Sequence, residues 1–180
     1  MLKKVLVHVC CGVCAYGCIE RLKEEGFVPA VFFFNPNIHP QSEYQKRKQT
    51  AEVVAKALSV GMIEGDYEPS DWQKATAGHS QDKEGQKRCL LCYRLRIEQT
   101  FQIVLKEGYD YFTTALSISP HKSSLAIIEI GREIGKDKFL AFDFKKQDGF
   151  KKSIAAAKSL DLYCQNYCGC RYSLRNSKDG

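Results

Sequence analysis

The chain has 180 residues, 44% of them apolar, and a formal net charge of +6, which suits one compact domain with a full core. No stretch reaches the roughly 18 consecutive apolar residues of a membrane-spanning helix, and the opening Met-Leu-Lys-Lys leads into a strand-like run with no signal-peptide core, so a cytoplasmic protein with no membrane partner is expected. In that compartment the nine cysteines argue for metal-binding or redox thiols and against a disulfide framework, while the excess of Lys and Arg favours a polyanion such as nucleic acid.

Along the chain, strand-like and helix-like periodicity alternate, without internal repeats or low-complexity linkers. Lys4–Val9 and Val28–Phe34 read as buried parallel strands joined by a helix from Gly17 to Glu25 that Gly26 ends. Ser42 is expected to cap a long polar helix to Ala57. A weaker strand follows at Gly61–Glu64, and Pro69-Ser70-Asp71 opens a short helix carrying Trp72. The polar run Gly78–Lys87 is expected to be mobile. A helix from Arg88 to Glu107 ends at Gly108 and leads to a strand at Tyr111–Leu116, after which Ser119-Pro120 opens a helix that ends near Gly135. Phe139–Phe142 is a last strand and Gly149–Leu160 a last helix.

Five short strands alternating with helices predict an α/β fold: one domain over residues 1–180, a doubly wound parallel sheet with helices on both faces. Ligands of such sheets sit beyond the carboxyl ends of the strands, at the point where the strand order reverses. Cys10 and Cys11 follow the first strand and Ser117–His121 the fourth, so both segments are expected at that point.

The turn Cys10-Cys-Gly-Val-Cys14 lacks the glycines of a phosphate-gripping loop. It supplies thiols instead, which a helix N-terminus or a metal acidifies into ligands or nucleophiles. Cys89 and Cys92 stand one helical turn apart on one face. Two such pairs suit tetrahedral zinc or an iron–sulfur cluster, and spacing does not choose between them. Cys18 is read as core. His8, inside a strand, is read as a hydrogen-bonded neighbour of the thiols, whereas His121, beside the other loop, is placed to hold substrate or donate a proton. His39 is expected to line the pocket with Asn35 and Asn37. Glu43 and Arg47, one helical turn apart, read as an ordinary surface pair.

Five motifs occur in order: His8-Val-Cys-Cys-Gly-Val-Cys14, Arg88-Cys-Leu-Leu-Cys-Tyr-Arg94, Ser119-Pro-His-Lys122, Asp148-Gly-Phe150 and Tyr167-Cys-Gly-Cys-Arg-Tyr-Ser173. The Asn35-Pro-Asn-Ile-His-Pro40 loop and Glu43-Tyr-Gln-Lys-Arg47 lie between them. Together they resemble the QueH family of epoxyqueuosine reductases over nearly the whole chain. The resemblance implies an oxidoreductase of the adenine-nucleotide α-hydrolase (HUP-like) fold that reduces epoxyqueuosine in the tRNA anticodon loop to queuosine, the last step in making that base, without cobalamin. It implies a [4Fe–4S] cluster next to a second, mononuclear metal ion, iron. Cys10, Cys11, Cys89 and Cys92 match the cluster ligands, and Cys14 the second ion's ligand. Cys10 and Cys11 replace the phosphate loop of the fold's nucleotide-using members, so no ATP requirement is expected.

The tail, residues 163–180, is expected to pack over the site. Its Cys168 and Cys170 are assigned catalytic roles with His121, ahead of Cys164, as ligands or as a thiol pair relaying electrons from an unidentified donor; simple packing is the alternative. Substrate contacts are assigned to Asn35, Asn37, Tyr93, Arg94, Ser119 and Lys122. Arg88 and Arg96 are further candidates for tRNA phosphate, and Tyr93 or Trp72 for stacking on a flipped base. A zinc-stabilised tRNA-binding module and a cluster-dependent tRNA thiolation enzyme are the competing readings.

Overall fold

Five consecutive buried residues, Val5 to Val9, put β1 (Lys4–Val9) at the centre of the sheet, because only a strand covered on both faces hides side chains that point both ways. In the computed structural model, which describes residues 2–174, β1 pairs in parallel with β2 (Val28–Phe33) and with β4 (Tyr111–Thr114), and β2 pairs with β3 (Met62–Glu64). The sheet order is β3-β2-β1-β4. The chain therefore steps outward through α1 (Gly12–Glu24) and α2 (Gln41–Ala57), then returns past β1 through α3 (Pro69–Ala75) and α4 (Lys87–Glu107). Right-handed crossovers put these two halves on opposite faces: α1 packs with α2 and with α6 (Gly149–Ser159), and α4 packs with α5 (Ser124–Gly135). The reversal falls between β1 and β4, where Cys10 and Ser117–His121 leave the sheet.

Several boundaries differ from those read in the sequence. The expected fifth strand, Phe139–Phe142, shrinks to one parallel bridge, Phe112 to Phe139. Side chains take the carbonyls a ladder would use: Leu140 O accepts from Thr113 Oγ1 (2.8 Å) and Phe142 O from Ser117 Oγ (3.0 Å). α1 begins at Gly12, not Gly17, because the Cys11 sulfur already caps it. β4 ends at Thr114, and residues 115–118 coil into a 3-10 turn. α5 starts at Ser124 with Ser123 as its cap (Oγ to Ala126 N, 3.2 Å), not at Ser119-Pro120. α2 enters through Pro40 without a side-chain cap, so Ser42 does not cap it. The Gly78–Lys87 run is tied down by the buried Arg88, whose guanidinium donates to the carbonyls of His79 (3.1 Å), Ser80 (3.2 Å) and Asp82.

Gly12 lets the first turn of α1 lie against α2: its N–H donates to Thr50 Oγ1 (3.1 Å), and a Cβ would stand 2.2 Å from the Thr50 carbonyl oxygen. Gly12→Ala is therefore expected to destabilise the metal-free protein by about 1–3 kcal/mol in chemical denaturation. Gly61→Ala, whose Cβ meets nothing within 4 Å, is the control and leaves the midpoint nearly unchanged.

Candidate active site

The backbone at Cys11 is extended and its sulfur accepts from the Cys14 N–H (3.4 Å), a thiol doing what serine does at other helix starts. This cap folds the sulfurs of Cys10, Cys11 and Cys14 together, all buried and within 4.8 Å of one another; among the described residues no other three His, Cys, Asp or Glu side chains converge so closely. The thiols of Cys11 and Cys14 donate to Cys10 and hold it well below the usual thiol range, with the charges of Lys122 and Arg96 adding to the effect. Cys11 is correspondingly pushed up to about 12, and Cys14 is also raised. Of the three, Cys10 is thus the sulfur whose thiolate form the site favours.

Beneath it, His8 is fully buried, with Nδ1 2.9 Å from Thr114 Oγ1 and Nε2 3.0 Å from the Phe34 carbonyl. The carbonyl requires a proton on Nε2 and leaves Nδ1 as acceptor. Burial, reinforced by Arg96, lowers the imidazole to about 4, so it is neutral and supports the strand ends.

Cys10 and Cys14 open onto a cavity of about 610 Å³ whose opposite rim carries Ser119, His121 and Lys122, with Cys168 on the tail side. Lys122 faces the thiols of Cys168, Cys10 and Cys14, and their charges raise it. Cys89 and Cys92 form a second group. Cys89 Sγ accepts from Gly85 N (3.2 Å), Cys92 packs with Trp72 and Cys170, and Cys168 and Cys170 act electrostatically on both. Burial pushes Cys92 up to about 11. The pair of α4 is thus grouped with the tail thiols and not within the Cys10 trio, and the Arg96 guanidinium is the charge that both Cys92 and Cys10 feel.

What brings the tail there is the pair read as ordinary surface. Arg47 and Glu43 are buried, 1% and 6% exposed, and joined Nε to Oε1 at 2.7 Å. Arg47 donates to Cys168 O (2.9 Å) and Tyr167 O (3.0 Å), and Tyr163 OH donates to Glu43 Oε2 (2.7 Å). His39 N donates to Gly169 O (2.8 Å), and Tyr167 OH to His39 O. Gly169, at φ +129, passes close to Arg47, where a side chain would be strained. Held this way, Gln165 donates Nε2 to Cys11 Sγ (3.0 Å). Residues 175–180 of the expected tail lie outside the described residues.

Other sequence candidates fall elsewhere. Asn35 is fully buried and donates to Val9 O (2.8 Å), and Asn37 is buried beside it. Arg94 is turned toward Glu133 (2.5 Å) and Glu98 (3.6 Å). Arg88 and Arg96 are 3% and 2% exposed, which removes both as surface phosphate contacts, and Tyr93 and Trp72, at 5% and 3%, are core packing and not platforms for a base. Cys164 is exposed and Cys18 is core.

The donor set fits a metal or iron–sulfur group. Soft thiolates converge, and the buried Arg96 Nη2 has no hydrogen-bond partner among the described residues, as a cation awaiting an anionic neighbour would.

A family model described as epoxyqueuosine reductase QueH matches residues 5–176. The chain belongs to the QueH family. Curated relatives named epoxyqueuosine reductase QueH include one from Streptococcus pyogenes, 35% identical over 95% of this chain and 70% of its own length, and one from Thermotoga maritima, 35% identical over 97% and 92%. Among solved structures, a predicted tRNA methyltransferase subunit from Methanocaldococcus jannaschii aligns with a TM-score of 0.58 at 16% identity, over 85% of this chain and 75% of that one. The U34-tRNA thiolase NcsA from Methanococcus maripaludis, described with its [4Fe-4S] cluster, aligns at 0.59 and 13% identity, over 96% and 61%. This QueH-family chain thus has the adenine-nucleotide α-hydrolase-like fold.

Arg47 and Gln165 of this QueH site were not assigned to it from sequence, and Arg96 was read as a surface phosphate contact and not as a buried cation. Arg47 falls in phase with the buried stripe Tyr44, Ala51 and Val54, and Arg96 with Cys92, Tyr93 and Thr100; a charge inside an apolar stripe was the available signal. Gln165 offered none. Glu43→Gln leaves Arg47 buried without its counter-charge and is expected to cost about 3–5 kcal/mol, with faster hydrogen exchange at residues 163–174 than elsewhere as the measured sign that the tail has been freed.

Proposed function

We propose that the protein is an epoxyqueuosine reductase that removes the epoxide oxygen of epoxyqueuosine in the tRNA anticodon loop and leaves the alkene of queuosine, without cobalamin. The reaction consumes two electrons and two protons and releases water, with the electrons coming from an external one-electron donor. The single observation that supports it is the buried trio Cys10, Cys11 and Cys14, of which Cys10 and Cys14 open onto a cavity that also holds Lys122 and His121. In this reading Cys10, Cys11, Cys89 and Cys92 hold a [4Fe–4S] cluster and Cys14 a mononuclear iron beside it. When bound, these groups supply single-electron transfer and a Lewis acid for the epoxide oxygen.

The chain's own residues supply the rest. Lys122 and Ser119 hold the polar edge of the substrate at the cavity rim. His121 gives a proton to the oxygen that leaves. The tail, with Cys168 and Cys170 beside the site, excludes water from the reduced centre. The net charge of +6 draws the anionic anticodon loop toward the rim. A cytoplasmic location suits a tRNA substrate.

Protein purified anaerobically is expected to be brown, to contain iron and sulfide, and when reduced to convert epoxyqueuosine-tRNA to a nucleoside lighter by one oxygen. His121→Gln is expected to lower the rate about a hundredfold with the visible spectrum unchanged. Colourless protein that holds zinc and does not turn over would overturn the reading in favour of a tRNA-binding module.

A further inference from the structure

Among the described residues three arginines are buried, and two of them are held by several acceptors. Arg47 has Glu43 and two carbonyls, and Arg88 donates Nη1 to three carbonyls, although its Nε has no partner among the described residues. Arg96 differs. It is 2% exposed, donates Nε to the Cys92 carbonyl (3.1 Å) and lies 5.8 Å from the Tyr93 ring centroid, but its Nη2 has no partner and no carboxylate pairs with it among the described residues. A guanidinium cannot shed its proton to escape burial, and a buried charge without a counter-charge is costly. The ionisable groups that act on its charge are the thiols of Cys92, Cys10 and Cys168 and the Tyr93 phenol, of which Cys10 is the one held low. Lys122 also faces thiols but is partly open to solvent at the cavity rim, which screens its charge.

We propose that Arg96 is the internal countercation of the thiolate-held cluster: a positioning residue that fixes this anionic group between β1 and α4 and raises its affinity for an electron. The inference rests on the cluster reading above. Each electron taken from the external donor adds one negative charge to an already anionic group. A permanent cation in a low-dielectric setting, with a buried N–H left unpaired by the rest of the described residues, favours that addition. It also makes opposite demands on the two states of the protein. Without the cluster, the charge of Arg96 is a burden; with the cluster, it is a partner.

The test compares the parent with Arg96→Met and Arg96→Lys, each purified anaerobically, as metal-free protein and after reconstitution with iron and sulfide. Melting is followed in both forms, and the midpoint potential by titration with dithionite, read by visible absorbance and electron paramagnetic resonance. Metal-free Arg96→Met is expected to melt at or above the parent. Its reconstituted form is expected to melt below the parent's, with a more negative midpoint or loss of the cluster, while Arg96→Lys retains the cluster with a midpoint between the two. An unchanged midpoint in fully loaded Arg96→Met, or a metal-free Arg96→Met that melts well below the parent, overturns the proposal and leaves the cluster reading intact. A parent that takes up no iron and sulfide overturns both.

Discussion

The buried ion pair of Glu43 and Arg47 converts an open sheet edge into an enclosed site. A doubly wound sheet leaves its carboxyl edge exposed where the strand order reverses, and nothing in β1 or α4 alone would cover it. Arg47 spends its donors on two carbonyls of the tail, and Glu43 takes the Tyr163 hydroxyl. The anchor lies beside the contacts between the tail and the thiols, including Gln165 to Cys11, and the bonds between His39 and the tail share its work. Buried pairs of this kind contribute little net stability compared with apolar packing, but they specify one arrangement, and here they specify where the tail lies.

The thiols and the buried cations form one electrostatic system. Cys10 lies at its centre, with Cys11 and Cys14 as donors and with Lys122 and Arg96 as positive neighbours. His8, kept neutral, adds hydrogen bonds without adding charge. An uncharged imidazole beneath the thiols is compatible with Arg96, whereas a second buried cation would repel it.

The sequence was informative where one-dimensional pattern and physics coincide. Continuous apolar runs marked β1 and β2, Gly108 marked the end of α4 with its left-handed cap, and the paired cysteines after β1 marked the reversal point. It was less informative wherever a side chain from a distant segment decides the outcome. Thr113 and Ser117 take the carbonyls of Leu140 and Phe142, which is why a run rich in phenylalanine fails to become a strand. Glu43 and Arg47 have the spacing of an exposed helical pair, and only the tail's arrival, about 120 residues later, makes them interior. Cys89 and Cys92 were legible as a pair, but the neighbours of that pair depend on how the tail folds.

Cys11 and Gln165, which meet across the site, are 154 positions apart in the chain. The sheet, the cap at Cys11 and the N-terminal turn of α4 are all made before residues 163–174 exist. The thiols of β1 and α1 are therefore synthesised long before the segment that covers them. Once the tail lies on Arg47, those thiols are covered.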